Sequence, residues 1–85
     1  MASYRLLIKP SAVQELEALP LKDRRRVVVR MRSLADQPRP LGCEKLGAHE
    51  LYRLRQGNYR ILYEIVDHDH TVTVIKIGHR RDVYR

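Results

Sequence analysis

The stretch that decides the fold runs from Leu51 to Val66: Leu51-Tyr52-Arg53-Leu54-Arg55, then Gln56-Gly57-Asn58, then Tyr59-Arg60-Ile61-Leu62-Tyr63-Glu64-Ile65-Val66. Two runs with a period-two character, separated by a short glycine-containing turn, are the pattern of a β-hairpin. Downstream, Asp67-His68-Asp69-His70 reads as a second polar turn. Thr71 to Ile77 is rich enough in β-branched residues to form a third strand, which Gly78 is expected to end. Upstream, Gln37-Pro38-Arg39-Pro40-Leu41-Gly42 cannot continue a helix and marks a loop.

Before that loop the spacing changes. From Lys22 to Ala35 the apolar residues Val27, Val28, Met31, Leu34 and Ala35 recur at helical intervals, and Arg24, Arg25, Arg26, Arg30 and Arg32 stand between them. A shorter helix is predicted to open at Ser11, with Gln14 completing a capping box and Val13, Leu16 and Leu19 facing inward up to Pro20. The few residues around Pro20 favour an antiparallel helix pair. Tyr4 to Ile8 reads as a first strand, stopped at Lys9-Pro10. The expected fold is a single α+β domain over residues 1–85: a two-helix hairpin packed on an antiparallel sheet of about four strands, in the order βααβββ.

The chain has 85 residues, no Phe and no Trp, so one small core must come from Leu, Ile, Val, Ala and some of the five tyrosines. Seventeen Lys and Arg stand against ten Asp and Glu, leaving a formal charge of +7. Arginine predominates, and its planar fork suits phosphate and carboxylate. The excess points to a polyanionic partner, either nucleic acid or an acidic protein, and is also compatible with a merely soluble basic surface. The single cysteine, Cys43, excludes an internal disulfide and fits a reducing compartment. Leu6-Leu7-Ile8 is too short for a signal peptide or membrane span, so a cytoplasmic protein is expected.

Period two places Arg53 and Arg55 on one face of a strand, and the tight turn brings Arg60 beside them. Like charges so close repel, and a bound anion such as phosphate would compensate. Three solvated side chains on an exposed strand would give the same pattern. The segment Gly78-His79-Arg80-Arg81-Asp82-Val83-Tyr84-Arg85 adds further arginines, a histidine and a tyrosine where the chain leaves the sheet. This inventory suits RNA cleavage by the 2′-hydroxyl: arginines neutralise the charge growing on the phosphate while another side chain removes the hydroxyl proton. His79 is the default base by residue type. Tyr84 is the weaker one, which surrounding positive charge would make usable, and it could equally be an aromatic covering the core edge. His68, Asp69 and His70, even with His49, His79 and Cys43, fit no standard zinc spacing and are ordinary turn residues, so neither a metal nor another cofactor is expected.

The ordered run Lys45-Leu46, Leu51 to Arg55, Gly57-Asn58-Tyr59-Arg60-Ile61-Leu62-Tyr63 and Ile77 to Tyr84 resembles the RelE/ParE toxin superfamily, and the likeness spans nearly the whole chain. For RelE-type members the resemblance implies a ribosome-dependent endoribonuclease that cuts mRNA in the A site through 2′-hydroxyl attack. Carried over by motif, Arg60 would contact the scissile phosphate, Arg80 would stabilise the transition state, Tyr84 would match the general base, and Arg53 and Arg55 would replace lysines that hold the phosphate. An arginine binds phosphate well but gives up a proton poorly, so Arg55 is a charge stabiliser rather than an acid. Lys45, Arg53, His79 and Arg81 are the expected RNA-binding residues. The resemblance also implies an acidic RelB-like antitoxin wrapped around the toxin, with operator DNA reached only through that complex and no membrane partner. The same fold hosts ParE-type gyrase poisons, and a catalytically inactive, antitoxin-binding member is a third reading.

Overall fold

The computed structural model describes residues 3–47 and 50–79. Strand β1 (Arg5–Ile8) leads into helices α1 (Pro10–Glu17) and α2 (Leu21–Ser33), followed by strands β2 (Glu44–Lys45), β3 (Leu51–Gln56), β4 (Tyr59–Val66) and β5 (Thr71–His79). The strands form one sheet in the order β1-β5-β4-β3-β2, in which β1 runs parallel to β5 and the other neighbours are antiparallel. The α+β sandwich expected from the sequence is therefore present, with one more strand than expected. The addition is β2, whose two residues are too few to carry any periodic signal.

Helix α1 corrects the expected capping box. It begins at Pro10, with Lys9 as the N-cap and no side-chain cap hydrogen bond. A proline in the first turn has its φ preset for the helix, and its missing N–H would have found no intrahelical acceptor there. Helix α2 carries Asp23 in its first turn and Arg30 and Arg32 in its last, charges that complement the helix dipole. Val27 and Met31 are buried, with Leu34 just beyond the helix end, whereas Val28 and Ala35 lie at the margin of the stripe.

The helices contribute Ala12, Leu16, Val27, Met31 and Leu34 to a core completed by alternating sheet residues: Tyr52 and Leu54, then Ile61, Tyr63 and Ile65, then Val72, Val74 and Ile77. On β5 the spacing breaks after Val74. Leu62 pairs with Lys76 but Tyr63 with Val74, so Ile75 is an extra residue, and this bulge turns Ile77 rather than Lys76 toward the core. The strand then continues past Gly78, which pairs with Arg60, to His79, which pairs with Tyr59. Gly78 does not end the strand as expected, because the long partner β4 still offers ladder positions there.

Beyond Ile8, β1 no longer covers the outer edge of β5. Glu15 of α1 does so instead: its Oε1 accepts the Ile77 N–H at 3.0 Å and its Oε2 accepts Lys76 Nζ at 3.3 Å. A side-chain carboxylate thus satisfies an edge that would otherwise invite another strand.

Candidate functional site

Since core residues alternate along β3 and β4, the intervening positions face away from the helices. Arg55 and Arg60 are direct partners across the hairpin, and Arg53 stands opposite Leu62. The two-residue turn between the strands makes this register possible: Gly57 holds φ at 60°, where type II′ hairpin turns place glycine. Arg53, Arg55 and Arg60 line one concavity together with Arg30, Gly42 and Glu44. The clustering expected from period two is therefore realised, with Arg30 of α2 and Glu44 of β2 added.

Glu44 is the Cα partner of Arg53, and its Oε2 accepts Arg53 Nη2 at 2.6 Å. That hydrogen bond and the charge of Arg53 hold the Glu44 carboxyl below its ordinary range, and Arg55 and Arg60 add to the effect. All three sheet arginines are thus felt at one carboxylate.

The other expected site residues are placed differently. Lys45 Nζ donates to Glu50 Oε1 at 3.1 Å, and Lys45 pairs with Tyr52 rather than lining the arginine concavity. His79 lies at the hairpin tip, where it shares a second concavity with Asp23, Arg26, Gln56, Asn58 and Tyr59. Its ring meets that of Tyr59 edge-on at 5.9 Å, and Tyr59 Oη donates to Asp23 Oδ2 at 3.1 Å. Burial and that carboxylate push the Tyr59 phenol up. Arg80, Arg81 and Tyr84 lie outside the described residues, as does His49.

A supporting network that sequence reasoning missed centres on Arg39, in the loop between α2 and β2. Its guanidinium donates through Nε to Tyr52 Oη at 3.0 Å and through Nη2 to Asp67 Oδ2 at 2.8 Å and Glu50 Oε2 at 3.2 Å. Tyr4 Oη also donates to Asp67, at 2.7 Å. Nearby, Tyr63 Oη donates to the Pro38 carbonyl at 2.8 Å. These bonds tie the loop between α2 and β2 to the far end of the sheet. An arginine between two prolines carries no spacing signal that would have revealed this role.

The arrangement of a two-helix hairpin on a five-stranded sheet is shared with solved structures of known toxins. Residues 6–84 match the model of the ParE toxin of the type II toxin-antitoxin system parDE. The chain belongs to that family, within the RelE/ParE superfamily, and is a RelE-like toxin of a type II toxin-antitoxin system. It is 40% identical to toxin RelG of Mycobacterium tuberculosis over 47 residues, which make up 55% of this chain and 51% of RelG, so the match spans about half of that relative. Among solved structures it is similar to the archaeal RelE-RelB complex of Pyrococcus horikoshii, with a TM-score of 0.84 and 30% identity over 95% of this chain and 99% of that one. It is also similar to the toxin-antitoxin complex RelBE2 of Mycobacterium tuberculosis, with a TM-score of 0.82 and 28% identity over 96% of this chain and 97% of that one.

Proposed function

We propose that this toxin is a metal-independent, ribosome-dependent endoribonuclease that cleaves mRNA in the A site, acts in the cytoplasm, and is silenced by a RelB-like antitoxin. The observation that carries this reading is the direct pairing of Arg55 with Arg60 in a concavity that also holds Arg53. Arginines carried on paired strands are gathered before a substrate binds, which suits stabilising the charge that grows on a phosphate in a pentavalent transition state. In the proposed reaction the 2′-hydroxyl loses its proton and bonds to the adjacent phosphorus, while the bond to the 5′-oxygen breaks and that oxygen gains a proton.

Arg60 would bind the scissile phosphate, with Arg53 and Arg55 sharing its charge. Arg80 and Tyr84 are proposed as transition-state stabiliser and general base, and Arg81 as an RNA contact, all from the motif they occupy. His79 borders the hairpin tip and would meet RNA there. Lys45, an expected RNA contact, would reach RNA only by leaving Glu50. The antitoxin proposal draws on the similar complexes, which pair such toxins with RelB-type partners. It is also in keeping with the formal charge of +7, which favours an acidic partner.

The match to the ParE model favours a second reading, poisoning of DNA gyrase. The two separate in one assay. Purified toxin is incubated with mRNA-programmed ribosomes, with the same mRNA alone, and with gyrase and plasmid. Cuts confined to ribosome-bound mRNA and lost in Arg60→Ala are expected, whereas intact mRNA with trapped gyrase-DNA cleavage would replace the proposal with the second reading.

A further inference from the structure

Glu44 is the one carboxylate, among the described residues, that lines the arginine concavity. It stands directly opposite Arg53, and their 2.6 Å contact has the length of a strong charge-assisted hydrogen bond. The two partners are unequal in exposure: the Arg53 side chain is 15% exposed and that of Glu44 is 59%. The arginine is thus built into the sheet, while the carboxylate reaches it from the solvent side. Glu44 is also carried by the least anchored element of the sheet, a two-residue edge strand with both residues exposed, two positions after Gly42 at φ 95°. A carboxylate so placed can swing away without disturbing the core.

We propose that Glu44 is a resident counter-anion, which keeps Arg53 directed into the concavity and surrenders it to an incoming phosphodiester. This makes Glu44 a positioning residue that sets the affinity of the site and selects against weakly held anions. The inference deepens the phosphate-binding reading above and depends on it only for the identity of the natural ligand. Before binding, Glu44 offsets part of the mutual repulsion of the arginines. During binding it must be displaced or share Arg53, so each anion is bound against an internal competitor. Glutamine at this position would keep the shape and an oxygen acceptor for Arg53 while removing the competing charge.

The test uses the full chain and inorganic sulfate, a dianion throughout the relevant pH range, titrated at low ionic strength and followed by NMR shifts of the arginine side chains. Glu44→Gln is expected to bind sulfate about two- to fivefold more tightly than the unmodified toxin, the range set by losing one exposed ion pair. In an Arg53→Ala background the gain should fall by at least half, and it should shrink as acid protonates Glu44. Equal or weaker sulfate binding by Glu44→Gln overturns the proposal, as does an undiminished gain without Arg53. Cleavage of ribosome-bound mRNA is measured alongside. A sulfate gain without cleavage sustains the counter-anion and removes the nuclease, and cleavage without a sulfate gain does the reverse.

Discussion

Arg55 lies directly across the hairpin from Arg60, two like charges at facing positions on the same side of the sheet. Opposed like charges destabilise a strand pair by roughly 0.2–1 kcal/mol. Arg55→Thr, which keeps good strand propensity, should therefore raise stability by about that amount in urea unfolding. The same variant should weaken RNA binding and cleavage. A drop in stability would mean that the arginine pair is already compensated within the chain.

Asp67 gives the fold an acid-sensitive joint. Hydrogen bonds from Arg39 and then Tyr4 lower its carboxyl from 3.8 to about 2. A folded-state value below the unfolded one stabilises the protein above the unfolded value, and that stability is lost as pH falls toward the folded value. Unfolding midpoints should decline between about pH 4 and 2. In Asp67→Asn that part of the decline should be absent, which a pH series of urea melts will show.

Tyr63 is fully buried and its hydroxyl bonds the Pro38 carbonyl at 2.8 Å. Tyr63→Phe removes the donor and leaves that carbonyl unsatisfied, at a cost of about 1 kcal/mol. Burial, followed by the neighbouring Cys43, pushes the phenol up, so the folded state retains its proton longer than the unfolded chain. The stability this contributes is complete below the ordinary tyrosine range and is lost above it. Stability measured between pH 9 and 12 should consequently fall less steeply in Tyr63→Phe.

Gly57 has φ 60° with open space where a Cβ would stand. Gly57→Ala should cost about 1 kcal/mol through backbone strain alone. Because this turn sets the register that opposes Arg55 to Arg60, a loss of RNA binding larger than the loss of stability would reveal a shift in that pairing. Thermal melts and binding on the same samples separate the two.

Much of the site was legible in the sequence because strand periodicity and a two-residue turn are local properties. The alternation of Tyr52 and Leu54 with Arg53 and Arg55, and the turn at Gly57-Asn58, suffice to bring Arg60 beside them. Features that depend on distant segments were not legible. Strand β2 consists of two residues, the bulge at Ile75 breaks the period that would otherwise bury Lys76, and Glu15 reaches the β5 edge across 62 positions of chain. Glu44 was missed for the same reason, since nothing in Gly42-Cys43-Glu44 announces a strand that pairs it with Arg53. Conversely, the capping box at Ser11 was a valid local signal overruled by Pro10, which starts the helix one residue earlier. Arg80 and Tyr84 entered only through the family motif.

Whether this toxin cuts mRNA on the ribosome is decided by inducing it and an Arg60→Ala variant in bacteria and mapping newly formed RNA 5′ ends across the transcriptome. Cuts are expected inside translated reading frames, in register with codons, and are expected to vanish in the variant and on untranslated transcripts. Growth arrest with no such cuts, or cuts spread equally over untranslated RNA, would show that the toxin is not a ribosome-dependent nuclease.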